Sequence, residues 1–188
     1  MSQQKMVLQP ILRLWLGLFS GLLLVSAISA FHGEYWYFGD KQALFSAVLR
    51  SELAKVAQAL PGSSFAIEEV GEYAGRVYDY HREHPELSRL MCWEGLIFDD
   101  EVPDEPQRRE HYGCKVEAVA EGQRQGAVTR ALEADHLAFL VLALAGWWSA
   151  VPQVARMLTG QDSEQEHARR RASVVEAARR LASAQFDT

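Results

Sequence analysis

The chain has 188 residues, of which 48% are hydrophobic, so it can bury a sizeable core and is not a disordered chain. Its formal net charge of -6 is not by itself that of a nucleic-acid-binding protein. Two cysteines, Cys92 and Cys114, are too few for a disulfide framework and too far apart for a CxxC metal site. We therefore expect a reducing, cytoplasmic location.

The charge is divided unevenly along the chain. Residues 1–60 contain five Lys and Arg against three Asp and Glu, a net charge of +2, which leaves -8 for the remaining 128 residues. This asymmetry predicts a weakly basic N-terminal head on an acidic body.

The first 34 residues are apolar and admit three interpretations. Residues 14–31 carry no formal charge and follow Lys5 and Arg13, which reaches the lower limit of length for a membrane-spanning helix. An export signal would fit the same composition. These two possibilities form the first interpretation. The second is a set of short amphipathic helices, which the spacing of the apolar residues also fits. The third is an irregular apolar cap.

Residues 35–49 combine aromatic residues, a turn and a helix start. Gly39 permits the backbone conformation that ends a helix, and Asp40 can cap the next one. The apolar residues that follow have helical spacing, which predicts a helix from about Asp40 to Leu60.

Beyond residue 60 the apolar spacing is helical throughout, and no strand pattern of any length occurs. We expect the segment from Leu137 to Val151 to be buried on more than one side, because it is apolar almost all round. Pro152 is expected to kink that helix without ending it. The predicted helices cover about 67–84, 87–96, 106–126, 133–160 and 162–184.

The last of these helices begins at a capping sequence, Asp162-Ser163-Glu164. Its arginines are interpreted as a solvated face: Arg169, Arg170, Arg171, Arg179 and Arg180.

The amino-acid sequence of residues 35–49 resembles the end of the DNA-binding domain in tetracycline-repressor-like (TetR/AcrR) transcriptional regulators. His84-Pro85-Glu86-Leu87, Trp93-Glu94-Gly95-Leu96 and residues 144–160 are similar to the regulatory domains of that family. The resemblance implies an all-α protein with a short helix-turn-helix-like head, residues 1–45. It implies a helical-bundle domain for ligand binding and dimerisation, residues 46–188.

The resemblance also implies DNA contacts by the head. In the family, the matching aromatic residues and lysine touch the DNA backbone, which positions a protein without specifying sequence. The residues carried over are His32, Tyr35, Trp36, Tyr37 and Lys41. The head is shorter than the family pattern, and residues 29–34 contain no Lys or Arg to hold phosphate.

A ligand pocket is expected inside the bundle, because helical bundles bind small molecules between facing helices. The alternative for each residue is an ordinary core position. The candidates are aromatic, apolar or sulfur-containing: Tyr73, Val77, Tyr80, Met91, Cys92, Trp93, Phe98, Tyr112, Val116, Phe139 and Trp147. Polar groups that could orient a ligand are His81, His111 and His136.

Metal and catalytic sites are not predicted. The pairs His81 with His84 and His111 with Cys114 lack third and fourth ligands, so no metal or other cofactor is expected. The sequence contains no glycine-rich phosphate loop, nucleophile elbow or recognisable carboxylate pair, so we expect no enzyme.

The expected function is that of a ligand-responsive repressor. It would bind operator DNA as a homodimer through residues 133–158 and 164–184 and be released by a small apolar or aromatic effector. One alternative is a ligand-binding and dimerisation protein that has lost DNA binding. Another is a membrane-anchored helical protein through residues 14–31, although a membrane partner is not favoured.

Overall fold

The computed structural model describes residues 41–61, 67–98 and 102–183. The chain divides into two compact units, Met1–Val48 and Leu49–Thr188, and each is described by itself. The described residues of the first unit are 41–48, which form the first turns of a helix. All other observations concern the second unit. The predicted domain boundary, at residues 45 and 46, stays a prediction.

The described residues form helices and contain no strand, so the predicted all-α class is confirmed. The helix bounds agree with the sequence pattern to within a few residues, except around Pro152. In chain order the helices are α1 Lys41–Ala59, α2 Ile67–Glu83, α3 Pro85–Ile97, α4 Glu105–Arg124, α5 Ala134–Ala150, α6 Pro152–Thr159 and α7 Glu164–Ala182.

Helix α2 lies at the centre of the second unit. It packs most extensively against α7 and then against α5, and α5 also contacts α3, α4 and α7. Tyr73 and Val77 of α2 are buried together with Leu137 and Val141 of α5 and Val174 of α7. These positions repeat every three or four residues, so burying them drives the association of the three helices.

Two glycines allow α2 and α7 to approach closely. Gly71 and Gly75 are one helical turn apart and both are buried against α7. A Cβ atom at Gly71 would lie 2.9 Å from the carbonyl oxygen of Val175, and a Cβ at Gly75 would lie 2.9 Å from Cγ2 of the same residue. The absence of side chains at these two positions therefore sets the distance between the helices.

The predicted continuous helix over residues 133–160 is wrong, because Pro152 begins a new helix. Val151 has φ -128° and ψ 59°, which is not helical, and α5 and α6 are bent by 86° relative to each other. A residue that precedes proline is sterically disfavoured in the α conformation, whereas proline fits the first position of a helix. Both preferences are satisfied by ending α5 at Ala150.

Helix α5 contacts α2, α3, α4 and α7, and part of its apolar surface is exposed in the single chain, so its burial on more than one side stays a prediction. Leu137, Val141 and Ala145 are buried, whereas Phe139 is 71% exposed and Trp147 is 64% exposed. Leu140, Met157 and Leu158 are also exposed, which extends this apolar surface onto α6. Within the described part of the chain nothing covers these side chains.

The interpretation of the α7 arginines as a solvated face is correct for Arg169 and Arg180 and wrong for the other three. Arg170 is buried and donates hydrogen bonds to Thr159 Oγ1 at 2.9 Å and Asp162 Oδ1 at 2.7 Å. Its guanidinium also lies over the Trp148 ring. Arg170 therefore fixes the turn between α6 and α7.

Arg171 and Arg179 instead face α2. Arg171 Nε donates to Asp79 Oδ2 at 2.7 Å, and Arg179 Nη2 donates to Glu72 Oε1 at 3.0 Å. The helix periodicity of α7 alone could not reveal these partners, because they come from another helix.

Two predicted helix ends are confirmed. Gly126 adopts φ +71° after α4, the left-handed conformation that glycine permits. The Ser163 hydroxyl oxygen accepts a hydrogen bond from the Glu166 amide at 3.1 Å and so caps α7.

No single helix among the described residues is long and apolar enough to cross a membrane. The bent pair α5 and α6 passes that test of length and composition when taken together. The candidate membrane or export segment, residues 14–31, lies outside the described residues.

Candidate ligand-binding site

A cavity of about 280 Å³ lies in the second unit, between α1, α2, α3, α4 and α5. This volume is just below the roughly 300–1,000 Å³ typical of small-molecule sites. The lining residues of α1, α2, α3 and α4 recur every three or four positions, so one face of each of these helices lies toward the cavity, and α5 contributes Leu142. The main apolar lining residues are Leu49, Leu53, Val56, Leu60, Val77, Leu87, Met91 and Leu142.

Two arginines of the cavity wall are neutralised by carboxylates. Arg50 of α1 pairs with Asp104, the residue before α4, and this pair is largely exposed. Arg108 of α4 makes a bidentate, mostly buried pair with Glu94 of α3, one contact being 3.0 Å between Nη2 and Oε2. The hydrogen bond to Glu94 raises the pKa of Arg108. These pairs join α1 to the start of α4 and α3 to α4.

His81 supplies a polar, uncharged group to the cavity wall. Its Nδ1 atom lies 2.8 Å from the Ser88 hydroxyl oxygen, and its ring packs beside Gly146 of α5. Burial lowers the pKa of His81, and the nearby His84 lowers it further. The imidazole is therefore neutral at neutral pH and can either donate or accept a hydrogen bond.

Lys115 of α4 brings an ammonium group to one part of the wall. Its Nζ donates a hydrogen bond to the Leu60 carbonyl oxygen at 3.0 Å and lies 5.7 Å from the centre of the Tyr73 ring. Burial lowers the pKa of Lys115 and raises the pKa of Tyr73 to about 12. Tyr73 is therefore a neutral phenol at physiological pH.

The structure brings some of the predicted ligand-binding residues to the cavity and not others. Tyr73, Val77, Met91 and Tyr112 line it, as do His81 and His111 among the predicted polar candidates. Tyr80 and Val116 are partly buried against the core beside it, and Phe98 is partly buried. The remaining candidates are solvent-exposed and do not line the cavity: Cys92, Trp93, Phe139, Trp147 and His136.

Several cavity residues were not predicted. Leu49, Leu53 and Val56 recur at helical spacing in α1, and this pattern could have identified them. Arg108 and Lys115 gave no such signal, because α4 is polar along most of its length and carries charges on several faces.

Most of the predicted DNA-binding residues, His32, Tyr35, Trp36 and Tyr37, lie outside the described residues. Lys41 is exposed and is the first residue of α1. Its predicted contact with DNA stays a prediction.

The histidine pairs considered for metal binding are occupied by other contacts. The ring of His84 stacks on Tyr80 with 4.3 Å between centroids, and Nδ1 of His111 lies 2.9 Å from the Gln107 carbonyl oxygen. Within the described ranges, no group of three or more His, Cys, Asp or Glu side chains could hold a metal ion.

Comparison with known proteins identifies the family. Residues 69–180 match the family described as "Tetracyclin repressor-like, C-terminal domain". The HTH-type transcriptional repressor SCO4008 of Streptomyces coelicolor is 42% identical over 127 residues, which are 67% of this chain. The chain spans 65% of the length of that relative.

The fold is also found in a solved structure. The crystal structure of SCO4942 of Streptomyces coelicolor has a TM-score of 0.65 to this chain and is 23% identical. The similarity covers 79% of this chain and 77% of that protein, and it shows the shared fold. Because the family match extends over more than half of the sequence, the chain belongs to the TetR family of transcriptional regulators.

Proposed function

We propose that the protein is a ligand-responsive transcriptional repressor and that the cavity lined by helices α1 to α5 binds its effector. The cavity carries this proposal, because it combines an apolar lining with a few polar groups, and its lining residues from α2 to α5 lie within the matched C-terminal domain of the family. The name of the relative, a transcriptional repressor, supports the direction of regulation. Membership of a family of regulators also agrees with the prediction that the chain is not an enzyme.

The effector would be small and largely apolar. The cavity volume of about 280 Å³ limits its size, and the leucines and Val77 offer it mostly hydrocarbon surface. Burying apolar surface contributes roughly 25 cal/mol per Å², so such a ligand gains most of its affinity from the lining.

Helix α1 provides a route from effector to DNA. The helix begins at Lys41 and continues to Leu49 and Leu53, which line the cavity. An effector that packs against these leucines would favour one position of α1, and the population of DNA-binding conformations would shift with it. Backbone contacts by Lys41 and the aromatic residues before it would hold operator DNA.

Operator binding would require a homodimer through residues 133–158 and 164–184. The exposed apolar side chains of α5 and α6, including Phe139, Leu140 and Trp147, supply the apolar surface that such an interface needs. Ala168 and Ala172 are exposed on α7 and leave room for a second helix. A Trp147→Lys substitution should yield a monomer in sedimentation-velocity experiments, and a dimer of wild-type stability would contradict this interface.

The function is tested by measuring DNA affinity with and without an effector. An operator selected from random DNA would be titrated with the full chain, with and without small apolar compounds that shift its melting temperature. We expect bound compounds to weaken operator binding. Unchanged affinity with a compound that demonstrably occupies the cavity would contradict effector-controlled repression.

A second candidate function is a ligand-binding dimer that does not bind DNA. The absence of Lys and Arg from residues 29–34 favours it, because these side chains usually hold phosphate. Binding to random DNA separates the two functions. A repressor should show affinity that falls steeply with salt, whereas the second candidate should show little affinity at any salt concentration.

A further inference from the structure

We propose that the effector is an amphipathic monocarboxylate and that the ammonium group of Lys115 binds its carboxylate. This inference rests on the proposed function of the cavity and specifies the chemical class of the ligand.

Lys115 carries a charge that no acidic side chain among the described residues neutralises. Its Nζ donates to the carbonyl oxygen of Leu60, which is a neutral acceptor, and in the described part of the chain it forms no ion pair with Asp or Glu. An ammonium group has three N–H donors, so this hydrogen bond leaves capacity for a ligand. Lys115 lines the cavity together with Leu60 and Tyr73, which places the charge at the cavity wall.

The two arginines of the wall differ from Lys115 in this respect. Arg50 is paired with Asp104, and Arg108 is paired with Glu94. When these pairs are discounted, the described side chains of the cavity wall leave one positive charge, at Lys115. A ligand with a single negative charge matches this balance, and a cationic ligand opposes it.

Energetics favour an anionic partner at this position. Lys115 is partly buried, and burial lowers its pKa because the surroundings solvate its charge poorly. The face of Tyr73 compensates in part, since aromatic rings attract cations. A carboxylate would compensate more fully, because it adds the attraction between opposite charges, which is stronger where water is partly excluded, to the hydrogen bond itself.

The remainder of the cavity fits the tail of such a molecule. Leu49, Leu53 and Leu87 line it with hydrocarbon, as does Leu142. A ligand with a carboxylate at one end and an unbranched apolar chain at the other would place each part against matching surface.

The competing explanation is that Lys115 is purely structural. Its hydrogen bond to Leu60 lies just after α1 ends at Ala59, and lysines often satisfy the last carbonyl groups of a helix. This role predicts that removal of the charge lowers stability without changing ligand preference. Ligand preference therefore distinguishes the two explanations.

The test uses three probes that share an eight-carbon chain: octanoate, 1-octanol and octyltrimethylammonium. Their affinities for the full chain would be measured by isothermal titration calorimetry. The variants are Lys115→Gln, which removes the charge but keeps a hydrogen-bond donor, and Lys115→Arg, which keeps the charge. Lys55→Gln is the matched control, because Lys55 is an exposed lysine that does not line the cavity.

We expect octanoate to bind the wild-type protein about 10-fold or more tightly than 1-octanol, and octyltrimethylammonium to bind most weakly. Lys115→Gln should remove the preference for octanoate, whereas Lys115→Arg and Lys55→Gln should keep it. Circular dichroism melting would confirm that each variant is folded.

Equal binding of octanoate and 1-octanol, or tighter binding of octyltrimethylammonium, would overturn the carboxylate assignment and leave the cavity as an apolar effector site. A preference for octanoate that survives in folded Lys115→Gln would overturn the role of Lys115. Failure of all three probes to bind would overturn this inference, whereas the repressor proposal depends on the separate operator measurement.

Discussion

Substituting Gly71 by alanine should destabilise the protein, although the same change usually stabilises a helix. In an exposed helix interior Gly→Ala contributes about 0.5–1 kcal/mol of stability. At Gly71 the new Cβ would lie 2.6 Å from Cγ of Arg179 and 2.9 Å from the Val175 carbonyl oxygen. The carbonyl oxygen belongs to the backbone of α7, so α7 itself must move.

Overpacking of this kind costs about 1–3 kcal/mol. After the helix-propensity gain is subtracted, we expect Gly71→Ala to lower the free energy of unfolding by up to about 2.5 kcal/mol, and by about 1 kcal/mol at the middle of both ranges. The melting temperature should fall by roughly 2–4 °C for each kcal/mol lost.

Gly113→Ala is the matched control, because Gly113 lies in α4 and a Cβ there would meet no described atom within 4 Å other than those of the adjoining backbone and residues of its own helix. It should raise the free energy of unfolding by about 0.5–1 kcal/mol. Urea denaturation of both variants at one protein concentration measures the difference, since association would otherwise change the apparent stability. If Gly71→Ala proved as stable as Gly113→Ala, the close packing of α2 on α7 would be refuted.

Leu137→Ala should lower the free energy of unfolding in urea denaturation by about 3–5 kcal/mol, because Leu137 is 1% exposed. The control Leu96→Ala, at a residue 77% exposed, should change it by less than about 0.5 kcal/mol. Similar losses would contradict the described core. Arg170→Met should lower the free energy of unfolding by about 1–3 kcal/mol, because it removes the hydrogen bonds to Thr159 and Asp162 and one of the two arginines paired with the buried Glu166; no loss would show that the turn between α6 and α7 holds without it. Burial lowers the pKa of His81 in the folded state, so protonation favours the unfolded chain. The stability that the neutral imidazole contributes should therefore be lost as the pH falls below about 6.5, the pKa of an unperturbed histidine. His81→Asn should reduce that pH dependence in urea titrations at pH 7 and pH 5.5, and an unchanged pH dependence would contradict the burial of the ring.

The helices could be predicted because their apolar residues repeat every three or four positions and their ends carry turn residues. Ser163 and Gly126 mark real helix boundaries for local reasons, a side-chain cap and a left-handed backbone. The end of α5 at Val151 does not follow from hydrophobic periodicity, which continues across this residue, because the local effect of Pro152 on the Val151 backbone decides where the helix ends.

The cavity was only partly predictable. Tyr73 and Val77 could be proposed because they are apolar and lie on a periodic helix face. The positions of Arg108 and Lys115 depend on how α4 is rotated against α3 and α1, which the sequence of α4 does not specify. Phe139 and Trp147 have large aromatic side chains of the kind that line ligand pockets, yet they lie on the exposed face of α5.

The central claim is that occupancy of this cavity controls DNA binding. The most direct measurement is the operator affinity of the wild-type chain and of Leu53→Trp, a variant that fills part of the cavity, each with and without a bound effector. We predict that the effector weakens operator binding by the wild-type protein and has little effect on Leu53→Trp. An effector that leaves wild-type affinity unchanged, or that acts equally on both proteins, would contradict the claim.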